Sequence, residues 1–135
     1  MRRSLAIFIA GSIALGSVQF AAAADEVPLT PQDVDIRLKQ GAPDRYFPEI
    51  AQKAGVVGRA EVLCKITATG SLEACQVIAE EPSGCRFGEA LVRLASFMKA
   101  SRRAKDGAPT SGREFVFATS FELPADVRRL DAKGC

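Results

Sequence analysis

The chain has 135 residues, enough for one small domain. Apolar residues make up 47% and charged residues 25%, a globular balance that excludes a long disordered chain. His and Trp are both absent, which removes Ser-His, Cys-His and His-metal chemistry. Formal net charge is +2, and Arg2 and Arg3 are the only ionisable side chains in residues 1–24. Taking those two from the 18 basic residues leaves 16 against 16 acidic ones. A neutral domain has no general attraction for nucleic acid or anionic lipid.

Residues 1–24 follow the pattern of an export signal. Arg2 and Arg3 are followed by an apolar run, Leu5 to Phe20, and then by small residues, Ala21 to Ala24. The expected cut falls before Asp25. The run is shorter than the ~20 residues a membrane span needs. An uncut signal would leave an inner-membrane anchor. Export places the chain in the periplasm, where disulfides persist.

Residues 25–43 hold Pro28, Pro31 and Pro43 with little apolar content and read as a linker. Pro48 opens a first helix carrying Ile50, Ala51 and Ala54, which Gly55 and Gly58 end. Arg59–Thr67 and Leu72–Ala79 alternate apolar and polar residues around a turn at 68–71, which predicts a hairpin. Ala60, Val62, Cys64 and Ile66 share one face, as do Cys75, Val77 and Ala79. Phe87, Leu91, Leu94 and Met98 draw one stripe of a second helix over Arg86–Arg103. Arg102, Arg103 and Lys105 suit its C-terminal end. Arg113–Leu123 is a third strand, with Phe115, Phe117 and Phe121 facing a core, and Pro124 ends it. The order helix, strand, strand, helix, strand predicts a two-layer α+β fold. Its three-stranded antiparallel sheet has the order second–first–third, with two helices on one face. The organisation is then signal 1–24, linker 25–43, domain 44–124 and a polar tail 125–135.

Placing the turn centre between Thr69 and Gly70 sets Cys64 opposite Cys75. Opposed Cβ atoms lie at about 4.5–5.5 Å, close enough for a bridge in a non-hydrogen-bonded pair. The pair predicts a structural disulfide, with two buried free thiols as the alternative; a redox pair working through Cys64 and Cys75 is the enzymatic alternative, and it has no electropositive helper nearby. Cys85 and Cys135 can either pair, since a tail can fold back, or stay unpaired; nothing local joins them. Glu80 and Glu81 read as solvent charges at a strand end. No catalytic set, cofactor site or metal site stands out, and the chain is not read as an enzyme. No nucleic acid or small-molecule substrate is expected.

The ordered motifs resemble the C-terminal domain of the TonB family of energy transducers. Tyr46-Phe47-Pro48-Glu49-Ile50-Ala51 is similar to the family's aromatic-Pro-x-x-Ala opening. Gly55-Val56-Val57-Gly58-Arg59-Ala60-Glu61-Val62 resembles its G-x-x-G lead into the first strand. Gly70-Ser71-Leu72, Phe87-Gly88-Glu89-Ala90-Leu91 and Asp106-Gly107-Ala108-Pro109 look like its hairpin turn, second helix start and D-G-x-P turn. The resemblance runs over residues 44–123. It implies a periplasmic protein-binding module, with a role in energy-coupled transport. An edge strand with free N–H and C=O groups accepts a partner strand. The family uses its last strand in this way to capture the TonB box of an outer-membrane receptor. Here that strand supplies Arg113, Glu114, Phe115, Val116, Phe117, Ala118, Thr119, Ser120 and Phe121. The expected partner is a TonB-dependent receptor, another envelope protein or a second copy of the chain. The alternative is a disulfide-stabilised structural or adaptor protein of the envelope with no receptor contact. The edge itself is open to a partner, or is covered by the tail after Pro124, or is protected by the charges of Arg113, Glu114 and Glu122.

Overall fold

The computed structural model describes residues 26–39 and 46–135; the expected export signal, 1–24, lies outside the described residues. In chain order the elements are strand β1 (Ile36–Leu38), helix α1 (Glu49–Ala54), strands β2 (Gly58–Ile66) and β3 (Leu72–Glu81), helix α2 (Phe87–Ala95), and strands β4 (Met98–Ala100) and β5 (Glu114–Phe121). β2, β3 and β5 form an antiparallel sheet in the order β3-β2-β5, the arrangement the sequence predicts.

Period-two alternation explains why this sheet has a single apolar face. Ala60, Val62, Cys64 and Ile66 of β2 are buried, as are Phe115, Phe117 and Phe121 of β5. Val62 pairs with Phe117 and Cys64 with Phe115, so the two sets lie side by side under α2. Phe87, Ala90, Leu91 and Ala95 form the buried face of α2. Pro48 precedes α1, and Gly55, at φ 68°, ends it in the left-handed conformation. Phe47 brings α1 into the same layer, its ring 5.7 Å from Phe87 and 6.1 Å from Phe121.

The hairpin register differs from a uniform pairing. Val62 faces Val77, as expected, but β-bulges shift the register on either side of that pair. Ala74 takes φ 50° at the first. At the second, Ala79 pairs with Glu61 and Glu80 with Ala60. An extra residue reverses which side chains face the core. Ala79 therefore leaves the inner face and Glu80 joins it. Glu80 is not a free solvent charge: its carboxylate accepts the Phe87 N–H at 2.9 Å, satisfying one of the unpaired donors at the start of α2.

Two further expectations are corrected. The second helix stops at Ala95, where Ser96 N–H bonds to Arg93 O and Phe97 N–H to Leu94 O. Met98–Ala100 then leaves as a strand because β1 offers it a partner, Ile36 opposite Ala100 and Leu38 opposite Met98. Arg102, Arg103 and Lys105 consequently occupy a loop, where Arg103 Nη1 donates to Gly107 O at 2.9 Å. The segment expected as a linker supplies β1 and contributes Leu29 and Val34 to the core. Its prolines dilute the apolar count but leave these side chains free to be buried.

Gly70 fixes the hairpin turn against β4. It sits at φ +85°, its carbonyl accepts the Ala100 N–H at 2.7 Å, and a Cβ there would collide with the Ala100 carbonyl oxygen. Gly70→Ala is expected to cost about 2 kcal/mol or more in urea unfolding, because left-handed strain and overlap with backbone act together. Gly107→Ala, also at positive φ but with open space around it, provides the control and should lose less.

Candidate docking edge

β5 lies at one rim of the sheet, and its hydrogen-bonding pattern can be read residue by residue. Leu29 N–H donates to Glu114 O at 2.8 Å, and Val116 N–H donates to Leu29 O at 2.8 Å. Even-numbered residues of β5 therefore turn their main-chain groups outward, away from β2. By the alternation of a strand, Ala118 and Ser120 do the same. Among the described residues, no backbone hydrogen bond beyond the sheet ladder is made by Ala118 or Ser120. Val116 C=O also faces outward from this rim. The side chains of Glu114, Ala118 and Ser120 are exposed, and that of Val116 is half-buried.

The nine residues that the sequence assigns to the rim thus separate into three groups. Phe115, Phe117 and Phe121 are buried, and Phe115 and Phe117 stack with centroids 5.5 Å apart. Val116, Ala118 and Ser120 supply the outward backbone. Arg113 precedes the strand; its guanidinium lies 3.4 Å from the Glu26 carboxylate and donates to Val27 O at 3.2 Å. Glu114 already has its carbonyl paired with Leu29. Thr119, half-buried, pairs with Ala60 on the inner side.

The sequence missed Leu29. It belongs to the presumed linker and bridges Phe115 in parallel, and it is 6% exposed. Val27-Pro28-Leu29 places two apolar side chains around a proline just before a turn, a signal too short to read as a strand. The alternative of a tail laid along this edge finds no backbone pairing: among the described residues, no backbone hydrogen bond joins residues 124–135 to β5. The tail instead passes α1, where Arg129 N–H donates to Gly55 O at 2.9 Å.

Both cysteine pairs are bridged. Cys64–Cys75 has its Cα atoms 4.0 Å apart and locks the hairpin beside the first bulge. Cys85–Cys135, with Cα atoms 5.2 Å apart, ties the last residue to the start of α2. The other rim of the sheet, β3, carries the two bulges and the left-handed Ala74. Bulges interrupt a pairing template, so the two edges are unequal, and β5 is the regular one.

Bulk geometry defines a two-layer α+β domain with one regular, half-open edge strand. No protein-family model and no curated protein matches the chain. Among solved structures it is similar to the solution NMR structure of the Pseudomonas aeruginosa TonB C-terminal domain. The match has a TM-score of 0.54 and 25% sequence identity, and covers 74% of this chain and 96% of that one. The fold is thus TonB C-terminal-domain-like.

Proposed function

We propose that the chain is a protein-binding module of the cell envelope, acting in the periplasm, that captures an extended segment of a TonB-dependent outer-membrane receptor by strand addition to β5. The likeness of fold supports a TonB-like interaction role, and the unpaired outward backbone at Ala118 and Ser120 carries the finer reading. Main-chain bonds give affinity in this mode and alternate side chains give selectivity. No helix among the described residues is long and apolar enough to cross a membrane.

Ser120→Pro tests the reading. An outward-facing N–H is where an edge strand tolerates proline, so the fold is expected to survive. Calorimetric titration with a TonB-box peptide should give binding to the unchanged chain and about tenfold weaker binding to Ser120→Pro, since an interface donor is lost. Equal binding by both chains would contradict the reading. Leu29's hold on half of the rim favours a second reading, an envelope adaptor with no receptor contact. A pull-down from envelope extract that recovers partners but no TonB-dependent receptor would select it.

A further inference from the structure

The outer edge of β5 already holds an occupant, and the chemistry of that occupant describes what the edge accepts. Leu29 supplies both bonds of one parallel rung, and its side chain is seated in the core. Glu26 and the Val27 carbonyl are held by Arg113. Immediately afterwards the chain turns away: Thr30 N–H and its hydroxyl both donate to the Asp33 carboxylate, at 2.9 and 2.7 Å. Those bonds lower the Asp33 carboxyl from its ordinary value, so the charged form that accepts them survives to more acidic pH. From there the segment is anchored. Lys105 N–H donates to Asp33 O, Ser101 N–H to Asp35 O, and Val34 is 1% exposed.

The rung is single for a chemical reason. In a parallel ladder the residue two beyond Leu29 would donate its N–H to Val116 O and accept from Ala118 N–H. That residue is Pro31, which has no N–H. A segment of the same polarity without proline there would continue along Ala118 and Ser120.

We propose, on the reading of β5 as a docking edge, that Glu26–Leu29 is a tethered plug over its first half, and that the partner which displaces it is an extended peptide running parallel to β5, with an acidic residue three positions before an apolar one and no proline two positions after that. The acidic residue takes the place of Glu26 on Arg113, and the apolar one fills the Leu29 seat. The plug competes at the millimolar effective concentration typical of a short tether. Its single rung and half-exposed ion pair are weak holds, its buried Leu29 side chain is matched by the partner's apolar residue, and a longer strand gains bonds at Ala118 and Ser120 that the plug cannot make.

The probe is a synthetic peptide spanning residues 25–33 with Pro31→Val, titrated into isotope-labelled full-length chain and followed by amide shifts. It is expected to move Val116, Ala118 and Ser120, and to bind the Leu29→Ser chain about tenfold more tightly than the unchanged chain, because tethered competition is removed. Glu26→Lys, an exposed change that leaves the core intact, should tighten binding about threefold through the lost ion pair. A peptide retaining Pro31 should bind about tenfold more weakly than the Pro31→Val peptide, since it cannot extend the ladder. Equal affinity for the unchanged chain and both variants would overturn the plug while leaving the docking edge in place. No binding to any of the three chains would overturn the proposed partner chemistry; the TonB-box titration then decides the docking reading separately.

Discussion

Phe87→Ala should lower the unfolding free energy by about 3–5 kcal/mol, the range for deleting a buried aromatic ring. Phe87 is 0% exposed and stands where α1, α2 and β5 meet. Its ring centroid lies 5.1 Å from Phe121 and 5.7 Å from Phe47. It also lies directly over Gly58, whose missing side chain makes room for it. Neighbouring backbone is held by the sheet and by the Glu80 cap, so the site cannot collapse to fill the void. A loss of this size is a large fraction of the 5–15 kcal/mol that small domains possess. Phe121 would lose a packing partner at the end of β5 nearest the open rim, and partner binding should weaken with stability. Urea unfolding with an unchanged slope checks this. A loss below about 1 kcal/mol would mean that the void is refilled, contrary to the packing described.

Removing the Cys85–Cys135 bridge with Cys85→Ala and Cys135→Ala together should cost about 4 kcal/mol, from the loop entropy of its 50-residue separation. The same calculation for Cys64–Cys75, separated by 11 residues, gives about 3 kcal/mol. The order is the informative part. A bridge to the last residue of the sequence should matter more than the one inside the sheet, because it restricts a longer stretch of the unfolded chain. Opening it also frees the tail, which carries the Arg129 N–H bond to Gly55 O. Both partners are replaced so that no stray thiol is left to form a new bridge. Chemical unfolding of the two double variants compares them directly. A larger loss for the hairpin pair would mean that local register, and not chain entropy, governs the contribution of these bridges.

What the sequence disclosed, and what it hid, follows from the range of the forces involved. Alternation in 59–66 and 114–121 was legible because a half-buried strand writes its own period. The opposition of Cys64 and Cys75 was legible because a hairpin turn sets local register. The bulges escaped, since the extra residue at each looks like any other strand residue, and with them went the facing of Ala79 and the capping role of Glu80. The end of α2 was misread for another reason. Met98 continues the helical stripe of Phe87, Leu91 and Leu94, but Met98–Ala100 is drawn into a strand by β1, about 60 residues earlier in the chain. Leu29 was hidden in the same way: its burial depends on a distant partner, Phe115, and two nearby prolines suggested a linker. The candidate edge was therefore found from local pattern, whereas its partial cover was a long-range fact.

The most direct measurement of the central claim is hydrogen exchange of the β5 amides with and without a saturating TonB-box peptide. Ala118 and Ser120 should exchange about tenfold or more slowly in the complex, because each outward N–H gains a main-chain acceptor. Amides of β3, on the bulged rim, should keep their free-state rates. Protection that appeared on β3 instead, or at neither edge while the peptide was bound, would contradict strand addition to β5.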